Sequence, residues 1–503
     1  MEGEVKVRES RIVKVATDVI RGGFFIFTGG TLSTIILAIA SIVIARLLDP
    51  SEYGLYSVVL IVPSLLLTFT GFGTSSALIK FTAQYRSEGK HRMICAFIKS
   101  GMLFNMSTGL ATLLLSLLFA DHLATYLLRR PGAGQLVRLA SLVIVGQILV
   151  ITSNSIFVGV DEMEKTALIS VTRAIVKALT APFLIILGLG ALGALVGHVL
   201  GYLLGGVLGL ILVVKIYRTY LQGVGDCPGL FTSLRQMIKY GIPLYCSSLI
   251  GKLLGQYQSI VLAWFASNVE IGNYSVATLF GALIMLLSNP ISTSLFPAFS
   301  KLNSKDSYRD LRKLFQHSNR YALMLIVPAS IFLAVASKDI ISVLYGSRYA
   351  LAPLYLAIYS TTFLYIGFVL VLNSFFNGIG RTDVSFKAAL IQAIIAIPLT
   401  LVLTYLYSIP GFIMSILISN LTSLTYTYRV ARLRYEIIFD LKSIMKIYLA
   451  TLLSVVPIVV IIYIIQCESI LRLTLVAFSF ILTYLTLIPA LKVIDKDDLS
   501  NLE

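Results

Sequence analysis

Three basic side chains stand where so apolar a chain should carry none. Arg173 and Lys177 lie inside one apolar run and Lys252 near the centre of another, whereas all 24 Asp and Glu fall in connecting segments, at the termini or at the ends of runs. A spacing of four puts Arg173 and Lys177 on one helix face. Lys252 has roughly 18 Å of helix on either side at 1.5 Å per residue, too far for its stem to carry the ammonium to a headgroup. A cation held in hydrocarbon without an acid costs a few kcal/mol unless it faces a wet cavity. An acid-free basic cavity suits an oxygen-rich anion: Arg grips two oxygens at once and Lys acts as a point charge, so a diphosphate is the natural guest. Ser248 and Gln256, one turn before and after Lys252, add neutral hydrogen-bonding groups to that face. The alternatives are that Lys252 bonds to helix carbonyls, that Arg173 and Lys177 reach the cytoplasmic interface, and that Ser248 packs between helices. No carboxylate pair, nucleophile with its base, or metal-ligand cluster is visible, which argues against catalysis, and no cofactor is expected. Cys95, Cys227, Cys246 and Cys467 lack paired spacing and read as bystanders.

The elements that must position these groups are membrane helices. The 503 residues are 57% hydrophobic and 13% charged, against about 25% charged in a soluble domain. A bilayer core of about 30 Å takes roughly 20 apolar residues per helix, and the runs lack the alternation of a membrane barrel. The expected fold is an all-α integral membrane protein with about fourteen transmembrane helices, near 24–47, 53–79, 93–119, 137–159, 166–188, 190–214, 238–264, 272–299, 318–336, 353–378, 385–407, 410–430, 444–466 and 470–490. The charged start has no small-residue cleavage site, so the first span reads as an uncleaved insertion signal.

A net charge of +16 raises the question of nucleic acid. With both termini in the cytoplasm, 30 of the 40 Lys and Arg fall on the cytoplasmic side, and only Arg46, Arg129, Arg130, Arg138, Lys338, Arg348 and Arg472 outside. That distribution is the positive-inside bias of a multi-pass protein, and no nucleic-acid partner is expected.

Residues 52–58, EYGLYSV, return as 270–276, EIGNYSV, and the NSIFVG beginning at Asn154 returns as the NSFFNG beginning at Asn373. The offset of 218 or 219 predicts a duplicated six-span unit, 1–218 and 219–436, with 437–503 appended as two more helices and a short cytoplasmic tail. Six spans is even, so the bundles enter in the same orientation and are expected to be related by a pseudo-two-fold axis along the membrane normal, with substrate between them. In that register Thr34 is the counterpart of Lys252. In the hairpin between the first two spans, Pro50 stops one helix and Ser51 can cap the next. His198 reads either as a proton site or as a histidine bonded to a neighbouring helix. Pro63, Pro182, Pro243, Pro398 and Asn289-Pro290 mark possible bends. Residues 301–321 read as a basic amphipathic helix along the inner surface or as a solvated linker.

The ARLLDPSEYGLYS phrase beginning at Ala45, the GFGTSSALIKFTAQY beginning at Gly71, the two-unit layout and the extra last pair resemble the polysaccharide-export (Wzx-type) flippases of the multidrug/oligosaccharidyl-lipid/polysaccharide exporter superfamily. The resemblance covers essentially the whole chain. It implies alternating-access transfer of an isoprenoid-diphosphate-linked oligosaccharide from the cytoplasmic to the outer leaflet of the cell membrane. It also implies membrane lipids and glycan-assembly proteins as partners and a monomeric transporter. By analogy with lipid II flippases, the last two helices would form a groove for the lipid tail. The expected substrate-binding residues are Lys252, Lys177, Arg173, Gln256, Ser248 and Thr34. The alternatives are a multidrug extruder of the same superfamily, which would need a carboxylate within its spans, and a polyprenyl-linked sugar polymerase or ligase, which would need a large external loop.

Overall fold

The computed structural model describes residues 2–221, 229–302, 308–464 and 469–493; Cys227 and Cys467 lie outside them. Every regular element among the described residues is a helix, as hydrocarbon demands of a chain that must satisfy its own backbone hydrogen bonds. Among the described residues, eleven helical stretches are long and apolar enough to cross a bilayer. Two of these are hairpins. Met163–Thr219 bends at Gly188 and Gly190, both at positive φ. Its arms pack so closely that a Cβ on Gly197 would lie 2.4 Å from that of Ala181, and one on Gly205 3.2 Å from that of Arg173. Glycines repeating every four residues, from Gly193 to Gly209, provide that contact face. Thr382–Tyr435 turns at Ser408 (φ 52°), and Gln392 donates to Asn420 at 2.9 Å between its arms. With the four arms taken separately and the 36-residue Leu230–Phe265 helix included, the described residues provide fourteen helical arms of membrane-spanning length.

Packing divides the chain into two units, Met1–Leu48 with Leu55–Ile260, and Asp49–Gly54 with Val261–Glu503. The first has a core around Phe97, Phe157, Ile169 and Met237. Met237 anchors the long Leu230–Phe265 helix there, and Ser100 donates to its Leu230 carbonyl at 3.0 Å. The second has a core of Phe299, Phe315, Phe375 and Phe376. A further cluster in it joins Leu323 and Val327 to Ile447, Ala450, Tyr484 and Ile488, so the last two helices pack into this unit. An ion pair also holds the final helix: Arg472 Nε donates to Asp339 Oδ1 at 3.1 Å, and Asp339 is buried.

The repeated phrases begin with matched caps. Asp49 Oδ1 accepts from the Glu52 N–H at 2.8 Å, so Asp49 rather than Ser51 caps that helix and Pro50 is its first residue. In the same register Ser267 and Glu270 form a reciprocal capping box. Gly54 and Gly272 are required by close approach. A Cβ on Gly54 would lie 1.8 Å from the Asn268 carbonyl oxygen, and one on Gly272 1.9 Å from that of Pro50.

Residues 308–321 are the beginning of the continuous Tyr308–Val335 helix, not a separate helix on the inner surface; 303–307 lie outside the described residues. Leu311 and Phe315 are buried in protein, and Gln316 donates to the Ile438 carbonyl at 3.0 Å. That packing takes the apolar face that would otherwise have met lipid. Pro63 and Pro290 both sit within helices; the pronounced break in the second span comes after Thr68 instead.

Candidate substrate site

Between the helices ending at Thr68 and starting at Thr74, the backbone unwinds. Gly71 (φ 75°), Phe72 (φ 43°) and Gly73 (φ 78°) all take left-handed conformations. Glycine adopts these without strain, whereas Phe72 does so at a cost of about 1–3 kcal/mol. Its ring lies edge-on to Tyr245, centroids 5.7 Å apart, and beside Phe104 at 6.3 Å. Tyr245 donates to the Thr68 carbonyl at 2.8 Å, satisfying an acceptor that the break leaves free. Gly73 and Gly241 meet backbone to backbone, since a Cβ on Gly73 would lie 2.1 Å from the Gly241 carbonyl oxygen. The Leu230–Phe265 helix thus rests directly on the unwound stretch.

Unwound backbone at membrane depth persists only where protein buries it or it borders a wet cavity. Here it borders a cavity of about 240 Å³ in the first unit, lined by residues from four spans, with Lys252 and Ser248 in its wall. Thr70, Ser75, Ser76 and Thr108 supply further hydroxyls to it. Among the described residues that line it, Lys252 is the charged one. A buried chain of polar groups runs from Thr74 into the wall, where Asn105 and Thr152 themselves line the cavity. The Thr74 hydroxyl lies 2.7 Å from both the Gly71 carbonyl and Asn105 Oδ1, and Asn105 Nδ2 donates to Thr152 Oγ1 at 3.0 Å. The chain ties the helix starting at Thr74 to two neighbouring spans, and among the described residues the cavity is hydroxyl-rich, cationic at one point and free of carboxylates.

The expected site residues divide. Lys252 and Ser248 share the cavity wall, with Ser248 donating to the Tyr245 carbonyl at 3.0 Å. Gln256, half-buried one turn beyond Lys252, is not part of that wall, nor is Thr34, whose hydroxyl donates to the Gly30 carbonyl of its own helix at 2.8 Å. Arg173 and Lys177 form a separate cluster. The Arg173 guanidinium lies 4.8 Å from the centre of the Tyr202 ring, and the Lys177 ammonium 5.9 Å from that of Tyr56. His198 Nδ1 lies 3.1 Å from the Tyr56 hydroxyl, the neighbouring-helix bond that was one of its two readings. The break and the polar chain were missed by reading 53–79 as one helix. Their sequence signal is a glycine pair, GFG, beside Thr70 and Thr74, with lone polar residues Asn105 and Thr152 in nearby apolar runs.

A family model described as "Polysaccharide biosynthesis protein" matches residues 19–303. That is more than half of the chain, which belongs to this family. A second model, MatE, matches 243–402. Among curated relatives, the chain is 25% identical over 372 residues to the lipopolysaccharide biosynthesis protein WzxC of Escherichia coli, covering 71% of this chain and 69% of that one. It is 20% identical over 181 residues to the probable low-salt glycan biosynthesis flippase Agl15 of Haloferax volcanii, a match spanning 36% of this chain and only 38% of that relative. Among solved structures, lipid II flippase MurJ in an inward closed conformation aligns with a TM-score of 0.74 at 17% identity, over 93% of this chain and 98% of that one. An inward-facing multidrug resistance MATE family transporter aligns at 0.66 and 16% identity, over 80% and 94%. Both structures share the all-helical membrane fold.

Proposed function

We propose that this member of the polysaccharide biosynthesis protein family is a flippase. It carries an isoprenoid-diphosphate-linked oligosaccharide from the cytoplasmic to the outer leaflet of the cell membrane by alternating access. It works as a monomer beside glycan-assembly proteins. The names of the relatives, flippases and glycan-export proteins, support this reading. The observation that carries it is Lys252 in a hydroxyl-lined cavity, acid-free among the described residues, beside an unwound membrane helix. A cation there has no protein counter-charge among the described residues, and a diphosphate supplies one. Outward movement of a dianion is favoured by an inside-negative potential, by about 4.6 kcal/mol at 100 mV from about 2.3 per charge. Multidrug extrusion is the second reading, supported by the MatE match over 243–402. It is disfavoured because no carboxylate lines the cavity among the described residues.

Appearance of the lipid-linked glycan in the outer leaflet of reconstituted vesicles tests the proposal. Lys252→Arg should retain transport, Lys252→Gln should lose most of it, and Lys252→Glu should abolish it in a protein still folded in the membrane. Normal transport by Lys252→Gln at equal protein level would make the residue structural. We further place both termini in the cytoplasm, from the distribution of basic residues. A cysteine at Ser51 should then react with an impermeant thiol reagent added outside; labelling only from the inside would reverse the orientation.

A further inference from the structure

Arg173 and Lys177 take no part in the Lys252 cavity, yet they too are cations within the membrane. Lys177 lies about 21 Å along its helix from Met163 at 1.5 Å per residue, too deep for the cytoplasmic interface. Among the described residues neither side chain has a hydrogen-bond acceptor or an ion-pair partner, and Arg173 Nε is buried without one. The faces of Tyr202 and Tyr56 steady the two charges. A ring face, however, does not meet the directional needs of five guanidinium and three ammonium N–H groups. The two cations, four residues apart, share one face of their helix. A half-buried pair of like charges, rich in donors and lacking acceptors, is a site waiting for an oxyanion.

We propose that Arg173 and Lys177 form a second oxyanion subsite, separate from the Lys252 cavity, that reads an acidic sugar in the carried glycan. This rests on the flippase reading and adds the cargo's charge to it. The planar Arg173 fork matches a carboxylate bidentately, and Lys177 one turn away contributes a second positive charge. Two tyrosines and a histidine around the pair make a polar aromatic wall suited to a sugar rather than to an acyl chain. The diphosphate has its counter-charge at Lys252, which leaves this pair for a different anion on the same molecule.

The test uses the full-length protein in nanodiscs of zwitterionic lipid and two probes, farnesyl-diphosphate-linked disaccharides ending in glucuronate or in glucose. The wild type should bind the acidic probe roughly tenfold more tightly, the worth of one modest charge-assisted contact. Arg173→Gln/Lys177→Gln should erase that preference while leaving affinity for the neutral probe unchanged. Arg173→Lys/Lys177→Arg should retain it. Lys252→Gln should weaken both probes alike. Equal binding of the two probes by the wild type, which needs no variant to fold, would overturn the proposal. So would a preference that survives Arg173→Gln/Lys177→Gln, or an equal loss of both probes in that variant, which would make the pair part of the diphosphate site. A preference that disappears when phosphatidylglycerol is included would assign the pair to bilayer phosphate and also overturn it. If Lys252→Gln leaves both affinities intact while the preference still follows Arg173 and Lys177, the Lys252 assignment fails and this subsite stands.

Discussion

After their matched caps, the two copies of the repeated phrase part company. Phe69-Thr-Gly-Phe-Gly73 of the first copy falls, in the register of 218, on Leu287-Ser-Asn-Pro-Ile291 of the second. The first stretch unwinds through three residues at positive φ; the second stays helical within Asn268–Lys301 despite its proline. The surroundings diverge in step. Asn105, which holds Thr74 and Thr152, has Leu323 as its counterpart, fully buried and seated on Gly367. One copy thus spends polar groups on keeping a helix broken beside a cationic cavity, and the other spends apolar groups on packing the last two helices. The second unit has a polar cavity of its own, about 110 Å³, with Asn373, Gln392 and Asn420 among its lining residues and no charged one among those described. Two stretches that share a phrase and a matched cap thus differ by a few residues that make one of them a candidate binding element.

The largest expected effect breaks the comparison at the glycine pair. Gly73→Ala must hold a side chain at φ 78° and drive its Cβ into the Gly241 carbonyl. Left-handed strain of about 1–2 kcal/mol plus a backbone clash should cost ~3 kcal/mol or more in thermal unfolding of the detergent-solubilised protein, with transport largely lost. An unaltered melting temperature with full transport would show that the unwound stretch is not maintained by glycine.

A smaller effect is expected from giving the first unit the residue of the second. Asn105→Leu removes both partners that Asn105 supplies and leaves the Thr152 hydroxyl buried beside a hydrocarbon. A cost of about 1–3 kcal/mol follows from the orphaned polar groups, and transport should fall several-fold while the protein still inserts. Transport at the wild-type level in vesicles would make the buried polar chain incidental to the cavity.

The membrane class and the count of crossings were legible because a bilayer imposes a length on every apolar run, and 20-residue runs are easily seen. The clustering of Lys and Arg gives the expected sides of the loops. The helix break was harder to read: 53–79 carries no charge, and helices tolerate glycine, so the GFG pair becomes decisive only with the packing of Tyr245 and Gly241 against the chain. Lys252 was recognisable by its solitude, but its cavity is assembled from four spans that nothing local connects. Asp339 and Arg472, 133 residues apart, could not be paired from their positions either. Arg173 and Lys177 were seen as one helix face, yet the tyrosines whose rings they meet come from other helices.

The central claim is that the Lys252 ammonium holds a phosphate of the lipid-linked cargo. Solid-state NMR of the protein in bilayers, with ¹⁵N on lysine Nζ and a farnesyl-diphosphate-linked sugar bound, measures that contact through the ¹⁵N–³¹P dipolar coupling, and Lys252→Arg provides the assignment. The account predicts a coupling corresponding to ~4 Å, as a charge-assisted N–H···O bond to phosphate requires, that vanishes from the lysine spectrum in Lys252→Arg while the probe stays bound. A bound probe with no lysine–phosphorus coupling, or with a coupling that persists in Lys252→Arg, would contradict it.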